Sequence, residues 1–298
     1  MSGNVQNKNK TNYSQCLKHG AVWPLTSHVI LKVTGPDAFR YLNGQITNDL
    51  KKLTPDRSLY SAMVTPKGKL VANIYLATLD NKDFYLDGTS ALKESLPARL
   101  EKYLIADDAV IENVSEKLFL VHAWGEEAEK LSSPFFQSQN NRLGFDGFDF
   151  YYESMPDLAS STICHEETAE IFRIEAGIPK WGTELHENTL PPEVGFEERW
   201  ISYQKGCYTG QEVIARLKSV GHVNRKLMGI YREDNQLLAP QQTIQQNGRT
   251  IGHITSSMAS PRLEKGIALG YVDWQSAHHG HQATVETHEV ILVNLPFI

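Results

Sequence analysis

The sequence predicts an α+β protein with several domains, the last of which is a small antiparallel β-barrel or sandwich. The chain has 298 residues, a length at which one hydrophobic core stops growing and a chain divides into domains. Short strand-like runs alternate with amphipathic helical segments up to about residue 177, a pattern that favours α+β over a doubly wound sheet. From about Leu227 onward, short alternating strands are broken by Gly, Asn and Pro, which indicates the small barrel or sandwich.

The first predicted domain spans residues 21–115. The run HVILKVTG (28–35) is typical of a strand that ends at a Gly-Pro turn. Two β-rich runs within residues 59–79 flank the sequence Pro-Lys-Gly at positions 66–68. Because Pro and then Gly suit the central positions of a tight turn, we expect a hairpin there. Residues 90–104 have the apolar spacing of an amphipathic helix.

The second predicted domain spans residues 116–177. It begins with the strand-like run KLFLVHAWG, and its last segment, residues 166–176, has a helical pattern that Gly177 stops. Residues 178–222 hold many turn residues and little periodicity, so we expect a long excursion over the surface, part of which packs back on the first domain. The small antiparallel barrel or sandwich is then expected over residues 223–298.

Composition and charge exclude several classes of function. The hydrophobic fraction of 41% and the charged fraction of 21% are typical of globular proteins. A formal net charge of -6 lacks the excess of Lys and Arg that phosphate contacts need, so no direct nucleic-acid partner is expected. No apolar run reaches about 18 residues, so no membrane span is expected. Residues 1–20 lack the apolar core of a signal peptide. We expect them to form a flexible N-terminal tail of a cytoplasmic protein.

Three cysteines stand far apart, at positions 16, 164 and 207. They form neither a disulfide framework nor a paired metal-ligand spacing, so no metal site is predicted. Cys16 falls in the expected tail and Cys164 in a segment without a motif, and both are interpreted as bystanders. Cys207 is therefore the candidate reactive thiol.

Cys207 precedes a predicted helix. Thr209 and Glu212 have the S/T-x-x-E spacing of a capping box, so we expect Thr209 to be the N-cap of that helix. The helix dipole and the nearby ammonium of Lys205 would both favour the thiolate of Cys207 over the thiol. The alternative is that Cys207 merely fills a small gap, which is the commoner role of a free cysteine.

The segment KGCYTGQE (205–212), continued by Ala215 and Arg216, resembles the signature of the YgfZ family. These are folate-binding proteins related to the aminomethyltransferase, or T protein, of the glycine cleavage system. GQITNDL (44–50), RIEAGIP (173–179) and GRTIGHITSSMASPRLEKGIALGYV (248–272) agree in the same order. The resemblance covers roughly residues 25–298. It implies a three-domain, T-protein-like ring around a central channel that admits a tetrahydrofolate.

The resemblance also implies a function. Similar proteins support the assembly or maintenance of iron-sulfur proteins, including enzymes that modify tRNA, so client enzymes or assembly proteins are the implied partners. Spacing leaves three uses of the Cys207 thiolate open: transient binding of an iron-sulfur cluster, thiol exchange, or attack on an electrophile. A cluster would need ligands from outside the chain, because the motif holds one cysteine. The residues that match the motif, with Cys207 and Lys205 as the implied catalytic pair, are Lys205, Gly206, Cys207, Tyr208, Gly210, Gln211, Glu212 and Arg216.

Glu175 in RIEAG matches the glutamate that hydrogen-bonds the pterin in related T proteins. A carboxylate suits this role because the pterin edge presents adjacent N–H donors to its two oxygens. The alternative is an ordinary solvated helical glutamate. Two aromatic positions that the family's better-known members use for folate are replaced here, by His28 and, near the second position, by Ala169.

The T proteins carry a pair of acidic residues, and this pair is also replaced here. The matching stretch GKLVAN (68–73) places Ala72 and Asn73 at those positions, and neither side chain carries the negative charge that would polarise an aminomethyl-lipoyl substrate. Glycine cleavage is therefore disfavoured, and we favour an accessory protein over an enzyme. The alternatives are a folate-dependent one-carbon transferase with altered catalytic residues and a module that binds folate without chemistry.

Overall fold

The computed structural model describes residues 2–195, 197–219, 221–234 and 236–298, with side chains from residue 10 onward. It confirms the α+β class and the closing antiparallel barrel: two antiparallel sheets precede a closed barrel. Helices cover the sheets and connect them. No helix in the described ranges is long and apolar enough to cross a membrane.

The helices and strands are numbered here in chain order. The helices are α1 (Ser2–His19), α2 (Ala38–Gln45), α3 (Ser95–Tyr103), α4 (Glu126–Lys130), α5 (Glu166–Glu175), α6 (Glu197–Trp200) and α7 (Gln211–Ser219). Short 3₁₀ turns lie at Leu50–Lys52, Ser90–Leu92, Pro191–Val194 and Trp274–Ser276. The strands are β1 (Gly20–Pro24), β2 (His28–Thr34), β3 (Leu59–Val64), β4 (Leu70–Thr78), β5 (Phe84–Thr89), β6 (Val110–Asn113), β7 (Phe119–Gly125), β8 (Phe136–Asn140), β9 (Gly147–Tyr152), β10 (Arg225–Arg232), β11 (Thr243–Gln246), β12 (Arg249–Ser260), β13 (Lys265–Asp273), β14 (Gln282–Val285) and β15 (His288–Val293).

The first sheet has the strand order β3-β4-β5-β2-β6 and contains the predicted hairpin. At its turn the Thr65 N–H donates to the Lys69 carbonyl at 2.8 Å, and the Gly68 N–H donates to the Thr65 carbonyl at 2.8 Å. Helices α2 and α3 supply apolar side chains to the core of this sheet. The buried residues that they contribute are Ala38, Tyr41, Leu42, Leu96 and Leu100.

The second sheet has the strand order β1-β7-β9-β8. Strand β1 pairs antiparallel with β7, so the prediction that the first domain starts at residue 21 is wrong for this strand. Gly20 lies opposite Gly125, and a Cβ on Gly20 would stand 2.0 Å from the carbonyl oxygen of Trp124. The strands can approach this closely because both positions are glycine. Residue propensities along the sequence do not reveal this constraint.

Residues 1–20 are not the flexible tail that their polar composition predicts, because the structure places α1 there. Asn12, Tyr13 and Cys16 lie on one side of this helix and are buried. The prediction failed because the buried face is made of an amide, a phenol and a thiol rather than aliphatic side chains, so the hydrophobic periodicity is weak.

The six barrel strands close in the order β10-β13-β12-β11-β14-β15. Residues 178–222 run from α5 to the barrel across the first sheet. The Leu70 N–H donates to the Thr189 carbonyl at 2.9 Å, and the Ser202 N–H donates to the Thr47 carbonyl at 3.0 Å. One apolar cluster therefore joins the first sheet, this segment and the barrel. Its members include Tyr60, Leu70, Trp200, Leu227 and Leu269.

A buried guanidinium joins the two sheets. Arg142 donates to Asp87 of β5 through Nη1 and Nη2, at 3.0 and 2.7 Å, and to Asp149 of β9 through Nε and Nη2, at 2.8 and 2.7 Å. His28 Nδ1 lies 2.9 Å from Asp87 and His122 Nδ1 lies 2.9 Å from Asp149. Each carboxylate therefore has a bidentate partner and a second contact, which compensates for its burial.

The positively charged partners of Asp149 offset the cost of burying its carboxylate. Burial alone would raise the pKa of Asp149, but the positive charge of Arg142 and the contact with His122 outweigh it and hold the pKa below the usual range. A lowered carboxyl pKa means that the unfolded chain binds the proton more readily. The stabilisation is thus present above about pH 4 and is lost as the pH falls below that value.

A second buried charge joins α5 to the barrel. Arg173 donates from Nη1 to Glu184 at 3.0 Å and from Nη2 to the Ser256 hydroxyl at 3.1 Å. The other oxygen of Glu184 accepts from Thr255 at 2.8 Å and from Ser256 at 2.7 Å. The orientation of α5, and of the Glu175 at its end, is therefore fixed relative to β12.

Replacing Arg142 with Met is expected to lower the free energy of unfolding by about 3–5 kcal/mol, because Asp87 and Asp149 would stay buried without their partner. Urea denaturation followed by circular dichroism measures this loss. The control is Arg249→Met, which removes an ion pair with Asp273 that is open to solvent and should have little effect. Equal losses in the two variants would contradict this account of the sheet junction.

Candidate functional site

Cys207 lies on the surface, in the connection between α6 and α7, and its thiol is exposed. The loop that carries it is not loose. The Thr209 N–H donates to the Gly44 carbonyl at 3.1 Å, and Tyr208 is buried beneath the loop. The thiol thus projects from a segment that is fastened to the first sheet on both sides.

The ammonium of Lys205 fastens the loop from within. Its Nζ donates to the main-chain carbonyls of Asn43, Ile46 and Asn48, at 2.6, 2.9 and 2.7 Å, and the residue is only 7% exposed. Burial lowers the pKa of Lys205 to about 8, against the opposing effect of Asp49. The sequence-based expectation that this ammonium serves Cys207 is not supported by these contacts, because all three bonds go to carbonyls at the end of α2 and in the segment that follows it.

The helix after the loop begins one residue later than the capping-box spacing predicts. Helix α7 starts at Gln211, and the Ile214 N–H donates to the Gly210 carbonyl at 3.4 Å. Gly210 has φ +80, and a Cβ there would stand 2.4 Å from the Thr65 carbonyl oxygen. Only glycine fits this position. Because the backbone of Gly210 is left-handed, helix α7 begins only at Gln211. Thr209 is therefore not the N-cap of this helix.

Of the other motif residues, Gln211 supports the loop, whereas Glu212 and Arg216 lie on the surface. Gln211 Nε2 donates to the Lys205 carbonyl at 3.5 Å and so closes the loop on itself. Glu212 and Arg216, one helical turn apart, are exposed. Nothing lies within 4 Å of the place where a Cβ on Gly206 would stand, so packing does not require glycine there. The exposed side chains of the motif beyond Cys207 therefore include an acid and a base.

Glu175 lies at the end of α5 and is 1% exposed, so the alternative of a solvated glutamate is wrong. Its Oε1 accepts hydrogen bonds from the Tyr13 hydroxyl at 2.9 Å and from Ser260 Oγ at 2.5 Å, and its Oε2 accepts from Tyr13 at 3.0 Å. Burial raises the pKa of Glu175, while the bonds from Ser260 and Tyr13 oppose that change. Both oxygens of this buried carboxylate therefore accept from Tyr13, and Ser260 shares one of them.

Sequence reasoning missed both partners of Glu175. Tyr13 lies in the polar N-terminal segment. The one feature of the sequence there that indicates a buried helical face is the spacing of Asn12, Tyr13 and Cys16. Ser260 falls within the stretch 248–272 that carries the resemblance, but a serine in a strand has no signature of its own. Its role follows only from the approach of β12 to α5.

Ala72 and Asn73 stand where the resemblance implies an acidic pair, and neither is an acid. Ala72 is buried, and Asn73 Nδ2 donates to the Tyr60 hydroxyl at 3.2 Å, while its Oδ1 is buried without a hydrogen-bond partner. The ring of Tyr60 stacks on Trp200 with centroids 5.6 Å apart. His28, at the first replaced aromatic position, is held by Asp87. Asn73 thus contacts an aromatic hydroxyl, and the guanidinium of Arg199 lies 5.9 Å from the centroid of the same Tyr60 ring.

The structure does not bring the two candidate sites together. The Cys207 loop contacts the segment 43–48 and the hairpin turn of the first sheet, whereas Glu175 contacts α1 and β12. Within the part of the chain that the structure describes, no three His, Cys, Asp or Glu side chains converge in a way that could hold a metal ion. An iron-sulfur cluster at Cys207 would need ligands from another molecule.

Comparison with known proteins places both halves of the chain in one lineage. The family model described as the GCVT N-terminal domain matches residues 4–163, and the one described as the glycine cleavage T-protein C-terminal barrel domain matches residues 225–298. An aminomethyltransferase of Thermoanaerobacter sp. (strain X514) is 26% identical over 89% of this chain and 80% of its own length. An uncharacterized protein of Haemophilus influenzae is 29% identical over 78% of this chain and 83% of its own length.

The fold has a close counterpart among solved structures. The glycine cleavage system aminomethyltransferase T from Bartonella henselae superposes with a TM-score of 0.85, covering 97% of this chain and 89% of that protein, at 18% sequence identity. At this identity the likeness concerns the fold alone. Activity has to be argued from the sites.

Replacing Lys205 with Met is expected to lower the free energy of unfolding by about 2–4 kcal/mol, because three buried carbonyls would lose a charged donor. Urea denaturation measures the loss. Lys51→Met, which alters an exposed lysine of the neighbouring turn, is the matched control and should leave stability unchanged. If Lys205→Met were as stable as the control, the ammonium would not be what fastens the loop.

Proposed function

The chain belongs to the glycine cleavage T-protein family, and we propose that it is a tetrahydrofolate-binding accessory protein for iron-sulfur enzymes, including enzymes that modify tRNA, acting through Cys207. The observation that carries this proposal is the exposed thiol on a loop that buried contacts hold in place. A structural cysteine would be expected inside the core, as Cys16 and Cys164 are.

A fixed, exposed thiol suits transfer between molecules. A partner can reach the sulfur without unfolding the loop, and the ammonium of Lys205 keeps the loop backbone in one position. A single thiolate is a poor resident site for a cluster, which generally takes four ligands. One thiol can instead complete a ligand set that a client or assembly protein provides, or exchange with a partner's thiol.

The chemistry of the folate fits Glu175 in one respect. A carboxylate with two oxygens can accept both N–H donors of a pterin edge, and the surrounding low polarity would strengthen these bonds. In the present conformation both oxygens already accept from Tyr13. Folate binding at this carboxylate therefore requires that Tyr13 leave.

The cellular role is tested by replacing Cys207 with Ala. We expect the variant to fold normally, because the thiol is exposed, and to lower the methylthiolation of tRNA in cells that lack the wild-type protein. Mass spectrometry of tRNA nucleosides measures the modification. Gln204→Ala, a change at another exposed residue of the same loop, serves as the control. Full complementation by Cys207→Ala would remove the thiol from the function.

A second candidate is a folate-dependent one-carbon transferase with altered catalytic residues. It is favoured by the similarity to aminomethyltransferases over 80% of the length of one of them. The absence of a carboxylate at Ala72 and Asn73 argues against it, because no charged base is there to polarise the amine.

The two candidates differ in one assay. Incubation with tetrahydrofolate and an aminomethyl-lipoyl substrate is expected to yield no methylene-tetrahydrofolate above background, measured by chromatography. Restoring the acid with Asn73→Asp gives the comparison variant. Turnover by the wild-type protein would establish the transferase and overturn the accessory role as its principal activity.

A further inference from the structure

Tyr13 makes, at Glu175, the hydrogen bonds proposed there for a pterin, and it adds a ring contact beside them. Its hydroxyl donates to both carboxylate oxygens, at 2.9 and 3.0 Å. Its ring stacks on Phe172, with centroids 4.7 Å apart and an interplanar angle of 28°. A pterin also combines a flat ring with donors along one edge. The phenol and the pterin therefore compete for the same oxygens.

The protonation of the pair favours the observed contact. Burial, with the nearby charge of Glu175, raises the pKa of Tyr13, so the hydroxyl remains a donor. A hydrogen bond from a neutral donor to a carboxylate is stronger than one between neutral groups. Since Ser260 supplies the other hydroxyl, loss of Tyr13 alone would leave the buried carboxylate short of donors.

The described side chains of helix α1, from residue 10 onward, bury one narrow face. Of its side chains from residue 10 to 19, three are buried, those of Asn12, Tyr13 and Cys16, and its leucine, Leu17, is exposed. Tyr13 and Cys16 pack in a buried apolar cluster with Phe172, so docking of the helix also removes apolar area from water. The contacts of Tyr13 combine this ring packing with hydrogen bonds, and a flat ligand with matching donors can replace both.

Those polar contacts also set where Tyr13 points. Asn12 Nδ2 donates to the Ile163 carbonyl at 2.8 Å, and its Oδ1 accepts from the His165 N–H at 3.2 Å. The two contacts frame Cys164, which packs with Cys16 in one buried cluster. The helix is thus held in a defined register against residues 163–165, with Tyr13 directed at Glu175.

We propose that helix α1 is an intramolecular ligand of the folate site, in which Tyr13 occupies the pterin position on Glu175 and Phe172 until a tetrahydrofolate displaces it. This inference rests on the proposed function. The bound and the docked states exclude each other, so the apparent affinity for folate is the intrinsic affinity reduced by the fraction of molecules in which α1 has left. Folate binding would in turn free α1 and the surface under it.

Calorimetric titration with tetrahydrofolate under anaerobic conditions tests the competition. In Tyr13→Phe the ring remains and the competing donor is lost, so folate is expected to bind about tenfold more tightly than to the wild-type protein. Tyr41→Phe removes a buried hydroxyl that bonds the Leu100 carbonyl in the first domain, and it should leave the affinity unchanged. Glu175→Gln should weaken binding.

The outcomes separate the two proposals. Binding of equal strength to wild type and Tyr13→Phe overturns the competition while leaving folate binding intact. Weaker binding to Tyr13→Phe also overturns it, since Tyr13 would then be part of the folate site. No binding to any of the proteins removes the folate function and the competition together.

A covalent lock supplies a second readout. Diamide accepts two electrons and two protons from a thiol pair, joining the two sulfurs as a disulfide. In a Cys207→Ser background, the fraction cross-linked between Cys16 and Cys164, identified by peptide mass spectrometry, is expected to lose folate binding until a reductant restores it. Cross-linked protein that binds folate with unchanged affinity would overturn the proposal.

Discussion

The buried guanidinium of Arg142 sets the frame on which both candidate sites are built. It draws bidentate contacts from a carboxylate of each sheet, so the two sheets cannot shift without exposing or orphaning a buried charge. The other junctions follow the same principle. Arg173 joins α5 to the barrel, Lys205 joins the cysteine loop to the first sheet, and Glu175 joins α1 to β12. Directed polar contacts at these places fix geometry that apolar packing would leave less specific.

The sequence predicted those parts of the fold that depend on local patterns. The hairpin at residues 66–68 follows from Pro and Gly at a turn, and the barrel follows from short alternating strands. The pairing of β1 with β7 was not predictable, because it depends on the close approach of Gly20 to Gly125. Helix α1 was missed because its buried face carries Tyr13 and other polar groups instead of aliphatic residues.

The candidate sites were predictable to a different degree. Cys207 stood out as a thiol in a recognisable loop, and its exposure agrees with a reactive role. The structural role of Lys205 could not be inferred, because its partners are main-chain carbonyls. Every residue has such a carbonyl, so no residue type in the sequence indicates these contacts. The partners of Glu175, Tyr13 and Ser260, come from distant parts of the chain. A fold shared with an aminomethyltransferase does not decide the activity, which has to be argued from the sites.

The occupant of Glu175 is the central point of this account, since folate binding and the role of α1 both depend on it. A crystal structure of the protein with tetrahydrofolate tests it most directly. The account predicts that the pterin edge contacts both oxygens of Glu175 and that Tyr13 has left the ring of Phe172. A folate bound elsewhere, with the hydrogen bonds between Tyr13 and Glu175 intact, would contradict it.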